Sequence, residues 1–94
     1  MRFIWDDLKN RSNKRKHGIG FDIAAHVFLD PLQITRLERV VEGEERWQTI
    51  GRVGAVIVLV AYIVIGEEEE IIRIVSARKV TRQERIEYEE ASEI

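Results

Sequence analysis

The sequence predicts an α+β domain, with helices first, an antiparallel β-sheet of about four strands in the middle and one helix at the end. Three observations predict it. An apolar stripe at helical spacing precedes Pro31, strand-like alternation and one long apolar run fill the middle, and a helix-start signature opens at Thr81. The 94 residues suit one domain, 1–94, and an ordinary hydrophobic share of 45% is enough for a packed core.

Residues 2–5 read as a short first strand, ending at Asp6-Asp7 where acids suit a helix start. A polar, basic helix follows to Lys16 and stops at Gly18, the residue type most tolerant of a left-handed end. Leu8 is almost alone on its apolar side, so this helix lies on the surface. Phe21, Ala24, Ala25 and Phe28 fall at the i, i+3, i+4, i+7 spacing of a second helix over 21–28. Asp30-Pro31 ends it, because the residue before a proline avoids the helical region.

Residues 33–39 read as an exposed or edge strand, Glu42-Gly43-Glu44 as a turn, residues 46–50 as a half-polar strand and residues 51–54 as a hairpin loop. Residues 55–65 are apolar on both faces and form the central strand. That run is about half of what a bilayer span needs, and no signal peptide is visible, so a cytoplasmic protein is expected. Gly66 and the glutamates at 67–70 turn the chain into a strand over 71–75, which completes an antiparallel meander. Thr81-Arg82-Gln83-Glu84 reads as a capping box opening a helix from 82 to about 91.

A formal net charge of −2 argues against nucleic-acid binding by the whole surface. The distribution is more telling. Lys9, Arg11, Lys14, Arg15, Lys16 and His17 come with no acid among them, and Arg73, Arg78, Lys79, Arg82 and Arg85 form a second basic set. A locally positive face on a nearly neutral protein follows. With no cysteine and only His17 and His26, neither a thiolate nor a His-rich metal site is expected, and no cofactor is called for.

Arg73 stands inside an apolar strand, so it either pairs with a carboxylate or faces a cleft that water and substrate enter. Arg78 and Lys79 come just before a helix whose N-terminus attracts anions, a setting for a phosphate and a crowded transition state. Strand-end salt bridges to Glu84 or Glu87 explain the same residues equally well. Lys9, Lys16 and His17 on the first helix either hold RNA phosphates or form a solvated face, with His17 capping carbonyls. Arg46, beside Trp47, reaches the cleft of Arg73 if both strands neighbour the central one. Glu84 and Tyr88 lie one turn apart; Tyr88 either serves the cleft or packs on the sheet.

Trp5-Asp6, Lys9, Asn13, Lys16-His17-Gly18, Phe21 and Phe28 with Asp30-Pro31 resemble the opening of the BrnT toxins. Glu45-Arg46 and Ile50-Gly51 match the middle of that family. Arg73-Ile74-Val75-Ser76-Ala77-Arg78-Lys79, then Glu84-Arg85 and Tyr88-Glu89, match its most distinctive passage. The chain departs at Ile63-Val64-Ile65, where polar residues are usual, and at Val80, where alanine is usual. The resemblance implies a fold like that of the RelE ribonucleases and an RNA-cleaving toxin that stops translation. It also implies a BrnA-like antitoxin as partner, in a hetero-oligomer with two copies of each.

The reaction expected from that resemblance is metal-independent cleavage of RNA, free or on the ribosome. Arg46, Arg73 and Arg78 are the expected phosphate ligands, with Lys79 helping. Glu84 or His17 is expected to move protons and Tyr88 to position a base. Lys9, Lys16, His17 and Arg85 are expected to bind RNA. Two rival readings use the same basic cleft: a non-catalytic RNA- or ribosome-binding module, and a partner protein whose groove holds an acidic or amphipathic segment.

Overall fold

A computed structural model describes residues 1–91. In order, the elements are β1 (Arg2–Ile4), α1 (Asp7–His17), α2 (Phe21–Ala24), a 3₁₀ turn (Ala25–Leu29), β2 (Ile34–Val41), β3 (Glu44–Val53), β4 (Val56–Ile65), β5 (Ile71–Lys79) and α3 (Arg82–Ala91). The five-stranded sheet has the order β1-β5-β4-β3-β2, with β4 in the centre as its all-apolar sequence requires. β2 to β5 form the antiparallel meander, whereas β1 lies parallel to β5. The sheet is therefore mixed, with one strand more than about four. β5 has an outer edge to satisfy, and a strand arriving by way of helices and a meander meets it in the parallel sense.

One face of the sheet holds the main core. Phe21, Ala24 and Val27 pack there on Val58, Val60, Tyr62, Ile72, Ile74 and Ala77. The expected helix over 21–28 is one α-turn followed by 3₁₀ geometry through Leu29, and Asp30, extended before Pro31, ends it. Gly51 lies within β3 and not in a loop. A Cβ there would stand 2.9 Å from the Val27 carbonyl oxygen, so the glycine allows the 3₁₀ turn to touch the strand. β3 and β4 are joined instead at Gly54-Ala55, where Gly54 has φ +60° and Val53 pairs with Val56.

α1 covers the edge of β5 that β1 leaves open. The Asn13 side-chain amide donates to the Ala77 carbonyl at 2.7 Å, and its oxygen accepts from the Ala77 amide at 3.2 Å. A buried side chain thus replaces a neighbouring strand. On the opposite face, Ile50, Ile57 and Leu59 pack with Tyr88 of α3, so α3 covers only that end. No helix among the described residues is long and apolar enough to cross a membrane.

Candidate active site

Two β-bulges decide which side chains share the open face. In β2, Leu37 pairs with Trp47 and Arg39 with Arg46, so Glu38 is an extra residue. In β5, Ile74 pairs with Tyr62 and Ser76 with Ala61, so Val75 is extra. Residues an odd number apart normally point to opposite faces of a strand, and a bulge resets that alternation. The first bulge brings Arg36 and Arg39 to one face; the second does the same for Arg73 and Arg78. Directly paired residues share a face. Arg39↔Arg46, Arg36↔Gln48, Ile63↔Arg73 and Leu59↔Arg78 therefore gather Arg36, Arg39, Arg46, Arg73 and Arg78 on the side that α3 partly covers.

The expected meeting of Arg46 and Arg73 takes this form, on the two strands flanking β4 and about 10 Å apart at ordinary strand spacing. Arg36 and Arg39 are the residues that alternation alone does not reveal. A bulge has no firm signature in one sequence, although a charge density of this kind in a strand hints at an open face.

Glu84 and Glu87 hold the α3 end of the face. Glu84 takes Arg78 through two hydrogen bonds of 2.7 and 3.0 Å, and Arg36 stands 3.6 Å away. Arg36 also donates to Glu87 at 2.8 Å and to Gln48 at 3.1 Å. The capping box forms as read: the Thr81 amide donates to Glu84, and the Glu84 amide to the Thr81 hydroxyl. Arg78 and the cap outweigh partial burial and lower the Glu84 carboxyl to about 2. The same pairing raises Arg78 against the effect of burial. At neutral pH Glu84 is a fixed anion with its oxygens engaged.

Lys9, Lys16 and His17 of α1 meet Val75 and Ser76 around a shallow hollow of roughly 350 Å³ at the edge of β5. Ser76 faces the same side as Arg78, so this basic rim adjoins the arginine face. The other candidates lie elsewhere. β5 runs past Val75 to Lys79, and consecutive residues alternate, so Lys79 is on the opposite face from Arg78, in a hollow with Lys14 and Val56. Tyr88 is 2% exposed and its hydroxyl donates to Asp30, so it packs under α3 and does not line the face. Arg85 is exposed on α3 beside Glu89. His26 borders an apolar hollow with Phe3, Trp5 and Phe28. Among the described residues, no three His, Asp or Glu side chains gather as metal ligands.

Residues 5–84 match the family model described as the ribonuclease toxin BrnT of type II toxin–antitoxin systems. Among solved structures the chain is similar to a crystal structure of the Brucella abortus ribonuclease toxin BrnT. The two share 27% identity with a TM-score of 0.64, over 87% of this chain and 99% of that one. No curated protein sequence matches the chain.

Proposed function

The chain belongs to the BrnT family of ribonuclease toxins of type II toxin–antitoxin systems, and from that premise we propose that it cuts messenger RNA without a metal ion and so halts translation. The observation that supports this is the arginine face, where bulges in β2 and β5 aim five cations to one side. In the reaction the 2′-hydroxyl loses its proton and its oxygen attacks the adjacent phosphorus. The bond to the 5′-oxygen breaks, and that oxygen takes up a proton. The products are a 2′,3′-cyclic phosphate and a 5′-hydroxyl.

The phosphate gains negative charge on the way, and cations fixed beforehand on a rigid sheet stabilise that charge without rearranging. Arg46, Arg73 and Arg78 hold RNA phosphates in this reading. Glu84 orients Arg78 and Arg36, and a carboxyl so far below neutrality is a poor proton carrier. His17, on the rim beside Ser76, is the better candidate for proton transfer. Lys9 and Lys16 extend the basic surface toward the substrate. Lys79, Tyr88 and Arg85 have no part in the chemistry proposed. A BrnA-like antitoxin, binding in a hetero-oligomer in the cytoplasm, completes the reading.

Cleavage of end-labelled RNA in EDTA, with and without ribosomes, tests it. Cyclic-phosphate products from the wild type, formed at least about a hundredfold more slowly by Arg73→Ala, are expected; full cutting by Arg73→Ala overturns the role of the face. A non-catalytic RNA-binding module is the second reading, favoured by the engagement of Glu84 with Arg78. Binding without any product in all conditions selects it.

A further inference from the structure

The five arginines of the open face differ in their charge balance. Arg36 and Arg78 are matched by Glu84 and Glu87. Arg39, Arg46 and Arg73 have no ion-pair partner among the described residues. The Nε of Arg46 is buried without a hydrogen-bond acceptor. A buried donor left unpaired is costly, and like charges on adjacent strands repel. An anion resting over these three residues relieves the repulsion.

The strand register fixes where that anion sits. Arg39 is opposite Arg46, and Ile63 is opposite Arg73. The pairing of β3 with β4, carried one residue past Trp47↔Tyr62, sets Arg46 beside Ile63. The three arginines therefore form one row across the sheet, with Ile63 as its floor. Arg78 belongs to a different row, through Leu59, about 13 Å away along β4 at the usual rise per residue. Between them lies the row of Arg36, Gln48, Ala61 and Ser76, whose single cation, Arg36, is engaged by Glu87 and Gln48. One phosphate does not bridge that gap, whereas successive phosphates of one strand do, with a sugar or base over Ala61.

We propose that Arg39, Arg46 and Arg73 form a second phosphate subsite, which takes a backbone phosphate of single-stranded RNA distinct from the one held near Arg78. The proposal rests on the ribonuclease reading and deepens it. Arg39 is a binding residue here, and the substrate is a strand long enough to place separate phosphates in the two rows.

The test is binding of non-cleavable 2′-O-methyl oligonucleotides carrying one or four phosphates, by the wild type, Arg39→Ala, Arg39→Lys and Arg78→Ala over a range of salt. Arg39 is exposed, so the fold should survive its replacement, and a thermal melt checks this. For four phosphates, Arg39→Ala is expected to weaken binding roughly tenfold and to flatten the salt dependence by about 0.7 in the log–log slope. Arg39→Lys restores most of that slope. For one phosphate, only one of Arg39→Ala and Arg78→Ala has an effect.

Unchanged binding of the longer strand by Arg39→Ala overturns the subsite, as does equal loss for the one-phosphate ligand in both variants. If the wild type still cuts RNA in either case, the ribonuclease reading stands alone. If RNA of every length is neither bound nor cut, both readings fall; capture of an acidic peptide by the row would then identify a protein-binding face.

Discussion

The hydroxyl of Tyr88 donates to Oδ2 of Asp30, joining the last helix to the residue that closes the 3₁₀ turn. Asp30 also accepts the Arg52 amide at 2.7 Å and the Leu32 amide at 2.9 Å, so one carboxylate ties a turn, a strand and a helix together. Burial works to raise Asp30, and these donors outweigh it and hold the carboxyl below its usual range. Burial, then the bond to Asp30, raises the Tyr88 phenol. Tyr88→Phe should therefore lower stability by about 1–2 kcal/mol in urea unfolding. It should leave the cleavage rate of the folded protein unchanged, and a hundredfold loss of rate at normal stability would return Tyr88 to the chemistry.

Glu84 makes stability depend on acid. Its carboxyl is lowered to about 2 by Arg78 and the helix cap, so its contribution is complete above the ordinary carboxyl range near 4.5 and is lost as pH falls toward 2. Glu84→Gln should remove about 1–3 kcal/mol at pH 7, with the larger figure reduced by solvent screening at the third-exposed Arg78. The gap should narrow below about pH 4.5 and close as pH falls through about 2. Urea melts at pH 7, 4 and 3 check this, and a gap that stays constant across the series contradicts it.

On the arginine face, Arg73→Ala and Arg78→Ala should each lower the cleavage rate by about 10²- to 10³-fold if they act as preorganised anion ligands. Arg73→Ala should melt near the wild type, because Arg73 is exposed and has no ion-pair partner among the described residues. Arg78→Ala should melt several degrees lower through loss of the Glu84 pair, so its rate is compared at a temperature where it is folded. Lys79→Ala, on the other face, should cut RNA normally. Gel-based rates for the three variants separate face from neighbourhood, and equal losses at 78 and 79 would deny that the strand's alternation matters.

Asn13→Ala should be among the more damaging single changes, at about 2–4 kcal/mol. It leaves the Ala77 amide and carbonyl without partners in a buried setting. Hydrogen exchange at Ala77 should rise in the same variant, and protection that persists would show that α1 does not hold that edge.

Much of the fold was legible because its signals are local. The left-handed stop at Gly18, the apolar run of β4 and the Thr81–Glu84 box each depend on a few adjacent residues. The misread features depend on contacts between distant segments. Gly51 reads as a loop glycine until the Val27 carbonyl is placed against it, and β1 acquires its parallel partner only once β5 is in position. In the candidate site, the approach of Arg46 to Arg73 was legible from the order of the strands, whereas the addition of Arg36 and Arg39 to the same face was not. Glu38 and Val75 are ordinary strand residues whose bulges arise from pairing across the sheet.

The pairing of β1 with β5 also affects how the protein is made. Arg2 lies against Ile71, so the first three-residue strand finds its place only when the chain has been made at least as far as β5. Contacts this far apart in sequence form late, after the loop-closure cost between them has been met. The arginine row draws on β2, β3 and β5 and shares that delay. The cationic surface is therefore one of the later parts of the molecule to assemble, because it exists only once three separate strands have paired.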